Sequence, residues 1–223
     1  MPSPPVIAIV VPCFNEEAVL PFSIPKLLAI LARMAQQSLA SPDSYILCCD
    51  DGSRDATWKI ISDLHLRDRR VKGISLAHNR GHQYALLAGL MTAKDHCDAA
   101  ISIDADLQDD TDAIIEMVRR FISGKEIVFG VRDDRTSDSW FKRTTAHAFY
   151  SLQRKMGIET IYDHADFRLM SQRALELLSE YGESNLFLRG IVPQLGLESD
   201  TVSYARKQRA AGESKYPLVR MLS

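Results

Sequence analysis

No apolar run in this 223-residue sequence approaches the roughly 20 residues needed to cross a bilayer, so as given the chain can touch a membrane but not span it. The four cysteines, Cys13, Cys48, Cys49 and Cys97, form neither a C-x-x-C nor a Cys/His cluster. That sets aside a zinc site and a disulfide framework and fits a reducing cytosol. Met1 to Pro5 lacks the charged region and apolar stretch of a secretory signal. Basic charge is not in excess: 27 Lys and Arg against 29 Asp and Glu give a net charge of -2, which argues against a general nucleic-acid binder. No G-x-G-x-x-G follows the first apolar run, which disfavours a dinucleotide-dependent oxidoreductase. Internal repeats and low-complexity segments are also missing.

What is present is an alternation of short apolar strands and amphipathic helices in a chain of one-domain size. Residues 6–11 form a β-branched run, expected to end as a strand at Pro12. Helical spacing follows at Leu27, Leu28, Ile30, Leu31 and Met34, then a strand at 45–49. Asp55 is a candidate N-cap for a helix around Trp58, Ile61 and Leu64. Further strands are expected at 71–76, 99–103 and 127–131, with helices at 82–94 and 112–123. This is the pattern of βαβ units: an α/β fold with a mostly parallel central sheet flanked by helices. Beyond Trp140 the pattern is less regular, with helical stretches at 144–156 and 172–181 and a strand at 201–204. Between Arg206 and Arg220 five basic residues face one acid, Glu213, a local basic tail on a slightly acidic chain.

The polar residues fall at informative places. Asn15-Glu16, Asp50-Asp51 and Asp104-Asp106 each follow an apolar strand, and open parallel sheets bind ligands outside the carboxyl ends of their strands. If extended geometry persists past the fourth strand, Asp104 and Asp106 face one side. Two such carboxylates repel unless a cation lies between them, and a hard divalent ion is suited to oxygen ligands. Gln108 adds a neutral oxygen. The plainer alternative is that these acids, with Asp109, Asp110 and Asp112, cap the next helix. Asp50-Asp51-Gly52-Ser53 likewise suits a ribose or base edge, or else an ordinary strand-to-helix turn with an Asx cap.

The ordered set of motifs is more specific than any member. P-C-F-N-E at 12–16, D-D-G-S-R-D at 50–55, H-N-R-G-H at 78–82, D-A-D-L-Q-D at 104–109 and G-V-R at 130–132 resemble the family-2 glycosyltransferases of the GT-A fold. With H-A-D-F-R-L-M-S at 164–171, F-L-R-G at 187–190 and Y-A-R-K-Q-R-A-A-G-E-S-K-Y at 204–216, they are similar to the branch containing dolichyl-phosphate mannose synthase and the bacterial polyprenyl-phosphate (bactoprenol) glycosyltransferases. The resemblance implies that residues 1–203 form a GT-A catalytic domain and 204–223 a basic, membrane-proximal acceptor segment. It implies that Pro12, Asn15, Glu16, Asp51 and Asp104-Ala105-Asp106 bind a UDP- or GDP-sugar, and that Asp104, Asp106 and Gln108 hold Mg²⁺ or Mn²⁺. Arg132 and Arg143 would meet the acceptor phosphate, where an arginine fork pairs phosphate oxygens; Arg206, Arg209, Ser214 and Lys215 would add donors to it.

Asp166 is the candidate catalytic base or sugar-hydroxyl ligand, with Asp163 competing; a structural pairing with Arg168 is the alternative. A phosphate monoester is already ionised at neutral pH, so the base is optional. The histidines and cysteines need no catalytic role, His78 and His82 reading as loop scaffolding and Cys48 and Cys49 as core. The implied reaction is an inverting displacement that moves a hexose from a nucleoside-diphosphate sugar to a polyprenyl phosphate at the cytoplasmic face of a membrane, feeding cell-envelope glycan modification. Many relatives continue into transmembrane helices; this chain stops at Ser223, so the expectation is peripheral association, or anchoring if such helices were removed. A homo-oligomer is one admissible assembly. The competing readings are a transferase acting on a sugar or polysaccharide hydroxyl, a phosphoacceptor signalling domain and a non-catalytic sugar-nucleotide sensor.

Overall fold

The first strand, β1 (Ile7–Cys13), is buried along its whole length, because Ile7 to Val11 are apolar on both faces and both faces are covered. The computed structural model describes residues 3–133, 164–181 and 188–205. In chain order it has α1 (Leu20–Gln36), β2 (Tyr45–Asp50), α2 (Thr57–Arg67), β3 (Val71–Ser75), α3 (His82–Ala93), β4 (Ala99–Ser102), α4 (Ala113–Ile122) and β5 (Ile127–Arg132). Then come β6 (His164–Ser171), α5 (Gln172–Ser179), the one-turn α6 (Leu188–Ile191) and β7 (Ser199–Tyr204). The strands form a sheet in the order β3-β2-β1-β4-β6-β5-β7.

The period-two alternation of β1 divides the core. Ile7, Ile9 and Val11 pack with Leu20, Ile24, Leu27 and Met34 of α1 and Ile114, Met117 and Val118 of α4. Ala8 and Val10 face Leu86 and Leu90 of α3 and, further along, Leu175 and Leu178 of α5. Helix α3 comes close to the sheet at Gly89, where an added Cβ would lie 2.3 Å from Cys49 Sγ and 2.5 Å from a Val10 methyl carbon. From β1 the chain steps outward through β2 to β3, then α3 returns it across the sheet so that β4 pairs with the other side of β1. That reversal creates a topological switch point between β1 and β4, where such sheets bind ligands.

The α/β pattern holds, with three differences from the sequence reading. First, β1 runs through Pro12. Asp51 N–H donates to Cys13 O and Ile103 N–H to Val10 O, so alternate residues of β1 face β2 and β4. Pro12 therefore turns its missing N–H toward β4, beyond the last β1–β4 pair at Val10, where no ladder bond is lost. Second, α1 begins at Leu20, with Pro21 in its first turn, where a missing N–H is harmless, and Pro25 inside the helix. Third, residues 164–171 form a strand, antiparallel to both β4 and β5. The expected helix at 144–156 lies outside the described residues, as does the basic tail beyond Ala205.

Candidate active site

The loops after β1 and β2 are stapled to each other at the carboxyl edge of the sheet. Asn15, at a positive φ of 52°, donates its N–H to Ser53 Oγ at 2.9 Å and accepts from Arg54 N–H through Oδ1 at 2.9 Å. Glu16 N–H donates to the buried Thr57 hydroxyl at 2.7 Å. Asp55 accepts from Thr57 N–H and Glu17 N–H, and Glu17 Oε2 accepts from Ala56 N–H. The N-cap position of α2 is Ala56 and not Asp55 as expected; Asp55, one residue earlier, accepts from Thr57 N–H at the start of the helix and ties it to the first loop.

Asp50 and Asp51 are both 2% exposed. Asp50 accepts from Ser53 N–H and the Ser75 hydroxyl. Asp51 accepts from Arg80 N–H at 2.7 Å and Gly81 N–H at 2.9 Å, which anchors the β3–α3 loop. Gly52 makes this approach possible. Its φ is +67°, and a Cβ there would lie 2.8 Å from the His78 carbonyl carbon and 2.9 Å from Asn79 N.

Strand β4 ends at Ser102, and the next residues turn instead of staying extended: Leu107, at φ 47°, donates its N–H to Asp104 O at 3.2 Å. The extended spacing invoked for Asp104 and Asp106 therefore does not hold; both lie in a turn, and Asp106 acts on the Asp104 carboxyl electrostatically. Ala105 is buried between them. Asp106 accepts from Gln108 N–H at 3.3 Å and Gln108 Nε2 at 2.8 Å. Neither Asp104 nor Asp106 caps the next helix, whose N-cap position is Asp112. Burial in the cleft pushes the Asp104 carboxyl above its ordinary value; His82 pulls the other way, and Asp109, Asp106 and Asp166 push it further. Its side chain is 48% accessible, so this is the desolvation of a concave cleft that water still reaches.

Across from Asp104 lies a second polar cluster. His82 Nε2 is 3.7 Å from Asp104 Oδ1 and 3.7 Å from Asp166 Oδ2. These are ion-pair distances, too long for hydrogen bonds. Asp166 is 7% exposed, and it accepts from Arg168 Nη2 at 2.5 Å, Arg189 Nη2 at 3.1 Å and Gln83 Nε2 at 2.9 Å. Burial alone would raise its carboxyl, but His82, Arg168 and Arg189 hold it well below the usual carboxylate range. Arg168 is 1% exposed and also donates to Leu188 O, while Leu188 N–H donates to Gln83 Oε1. The Arg168 pairing set out as the alternative for Asp166 is thus present.

Arg132, at the end of β5, pairs with buried Asp109 at 3.2 Å, and the Tyr204 hydroxyl donates to the same carboxylate at 2.7 Å. Arg143, Arg206, Arg209, Ser214, Lys215 and Asp163 lie outside the described residues. His82, Gln83, Asp109, Arg189 and Tyr204 were not singled out as site residues. His82 and Arg189 sit inside motifs already noted, and Asp109 closes D-A-D-L-Q-D; nothing in the sequence marks Gln83. Cys13, Cys48 and Cys49 are buried core thiols, and burial pushes the Cys49 thiol well up, consistent with no nucleophilic role.

The loops after β1, β2 and β4 thus converge on the switch point, and a family model for "Glycosyl transferase family 2" matches residues 8–178. The chain belongs to glycosyltransferase family 2. It is 53% identical over 221 residues, 99% of its length, to an uncharacterized glycosyltransferase, YkoT, of Bacillus subtilis (strain 168), and covers 66% of that protein. It is 38% identical over 213 residues to the bactoprenol glucosyl transferase of Shigella phage SfV, covering 94% of this chain and 66% of that one. The chain thus spans about two thirds of the length of these curated relatives.

Among solved structures, glucosyl-3-phosphoglycerate synthase of Mycobacterium tuberculosis matches with a TM-score of 0.60 at 17% identity, covering 97% of this chain and 75% of that one. A mannosyltransferase of Pyrobaculum calidifontis, solved with GDP-Man and Mn²⁺, matches with a TM-score of 0.60 at 15% identity, covering 93% and 58%. These establish the GT-A fold. Among the described residues, no helix is long and apolar enough to cross a membrane.

Proposed function

We propose that this family-2 member transfers a hexose, with inversion, from a UDP- or GDP-sugar to a polyprenyl phosphate, working at the cytoplasmic face of a membrane. The observation that supports it best is the pairing of buried Asp166 with Arg168 and Arg189. A sugar hydroxyl must lose a proton to attack, which asks for a base with a pKa near the working pH. Asp166 is ionised but held far below that range by two arginines and His82, so it is a poor proton acceptor. A phosphate monoester needs no base. The name of the Shigella phage relative points the same way.

A divalent cation is part of this reading. Among the described residues no three His, Cys, Asp or Glu side chains are grouped to hold a metal by themselves. The donors nonetheless fit an ion of the Mg²⁺ or Mn²⁺ type, which takes one or two carboxylates and completes its shell with water and substrate phosphates. Burial first, and then Asp109, Asp106 and Asp166, raise the Asp104 carboxyl, a cost to its charged form that a cation would relieve. Asp104 and Asp106, with Gln108 beside them, would hold it, and when bound it would neutralise charge on the donor diphosphate.

The chain's own residues then do the rest. In this reading Pro12 at the end of β1, the stapled loop residues Asn15 and Glu16, and Asp51 at the end of β2 cradle the nucleotide, together with Asp104-Ala105-Asp106 after β4. Arg132 and, outside the described residues, Arg143 orient the acceptor phosphate. Residues 204–223 supply Arg206, Arg209, Ser214 and Lys215 to that phosphate and to the membrane surface. One acceptor oxygen forms a bond to the anomeric carbon as the bond to the diphosphate oxygen breaks, and the electron pair leaves with the nucleoside diphosphate. Asp166 keeps its charge and fixes the surrounding arginines or a sugar hydroxyl.

Labelled UDP-glucose, UDP-N-acetylglucosamine and GDP-mannose, each offered with a short polyprenyl phosphate or with glycoside hydroxyl acceptors, test the proposal. Label should move to the lipid phosphate. Transfer to glycosides alone would establish the hydroxyl-acceptor reading instead, and donor binding with no transfer to either would indicate a sensor.

A further inference from the structure

Asp109 is only 3% exposed, although it stands in an acidic loop. Its Oδ1 accepts from the Tyr204 hydroxyl at 2.7 Å, Arg132 Nη2 at 3.2 Å and Arg132 Nε at 3.4 Å. Arg132 and Tyr204 are register partners at the ends of β5 and β7, and Asp133 N–H closes the pair by donating to Tyr204 O at 2.9 Å. The Tyr204 ring is itself fixed, standing edge-on to Phe167 with centroids 5.2 Å apart. One carboxylate therefore joins the D-A-D-L-Q-D loop to two strand ends.

A buried ion pair of this kind is weak evidence for stability, because well-packed apolar side chains of similar volume often serve stability as well or better. What such a pair does supply is direction. Asp109 takes the Nε and Nη2 donors of the Arg132 guanidinium, on a side chain that is still 24% accessible. A guanidinium held by one edge can offer its other edge to a phosphate. We propose that Asp109, braced by Tyr204, is a positioning residue that aims Arg132 at the acceptor phosphate. This rests on the acceptor reading of Arg132 given above.

The test is a double-mutant cycle on the purified chain, with a short polyprenyl phosphate as acceptor and the donor sugar nucleotide varied separately. Asp109→Asn and Arg132→Lys should each raise the acceptor KM about tenfold, the scale of one lost charge-assisted hydrogen bond. The donor KM should stay within about twofold, since uniform donor binding is untouched. The double variant should be no worse than the poorer single one. Full additivity would overturn the positioning role and leave the acceptor reading standing, as would a matching rise in both KM values. An Arg132→Lys variant with an unchanged acceptor KM would overturn the acceptor reading and this role together. If Asp109→Asn does not fold, Tyr204→Phe, which keeps the ring and removes only the brace, replaces it in the same cycle with the same outcomes.

Discussion

Replacing Asp166 by asparagine should destabilise the protein before it says anything about catalysis. The side chain is 7% exposed and its partner Arg168 1%, and their contact at 2.5 Å is joined by Arg189 and Gln83. Asparagine keeps the volume but leaves buried Arg168 without a counter-charge, a one-sided break that typically costs about 3–5 kcal/mol. For a chain of this size each kcal/mol moves Tm by about 2–4 °C, so Tm should fall by about 6–20 °C. Thermal unfolding followed by far-UV circular dichroism at neutral pH reads this directly. The pH dependence has a definite sign. The folded carboxyl is depressed, so between the folded and unfolded values the unfolded chain binds the proton and the native chain does not. Stability from Asp166 is therefore present above about pH 4 and lost as pH falls below it. The gap between parent and variant Tm should narrow on acidification. A neutral-pH Tm within about 2 °C of the parent, or a gap that does not change with pH, would refute the reasoning.

Asp104→Asn should behave oppositely: it removes a carboxylate already disfavoured by burial and by Asp109, Asp106 and Asp166, so Tm should equal or exceed the parent's while metal-dependent donor binding is lost. A clear drop in Tm would show that Asp104 is structural. Gly52→Ala places a side chain at φ +67° against the His78–Asn79 backbone; the left-handed conformation alone costs about 1–2 kcal/mol, and donor KM should rise as the loop held by Asp51 shifts. Unchanged donor KM and Tm would show that this approach of loops is not needed.

The alternating elements from β1 to β5 were legible because β1, β2, β4 and β5 are apolar and α1 and α4 carry a one-sided apolar stripe, so local pattern and final packing agree. β6 was not, because its sequence H-A-D-F-R-L-M-S carries Asp166 and Arg168 where an apolar strand is expected; the two lie i,i+2 on one face and neutralise each other in the interior. The end of β1 was misjudged for a related reason: proline stops a strand only where its N–H would have met a neighbour. Around the site, the acids at the strand ends were visible from sequence. What could not be seen is that Asp50 is occupied by Ser53 N–H of its own turn and the Ser75 hydroxyl at the end of β3, and Asp51 by two backbone donors of the β3–α3 loop. Nor does spacing reveal that His82 stands between Asp104 and Asp166, since that depends on α3 crossing to the other face of the sheet.

The proposed reaction requires Asp104 and Asp106 to hold a cation that carries the donor diphosphate. Calorimetric titration of UDP- and GDP-sugars into the chain, with and without Mn²⁺, measures this most directly. One donor should bind in the presence of the metal and lose most of its affinity in the metal's absence or in the Asp104→Ala/Asp106→Ala double variant. Binding of that donor to the double variant as tight as to the parent, with or without Mn²⁺, would contradict it.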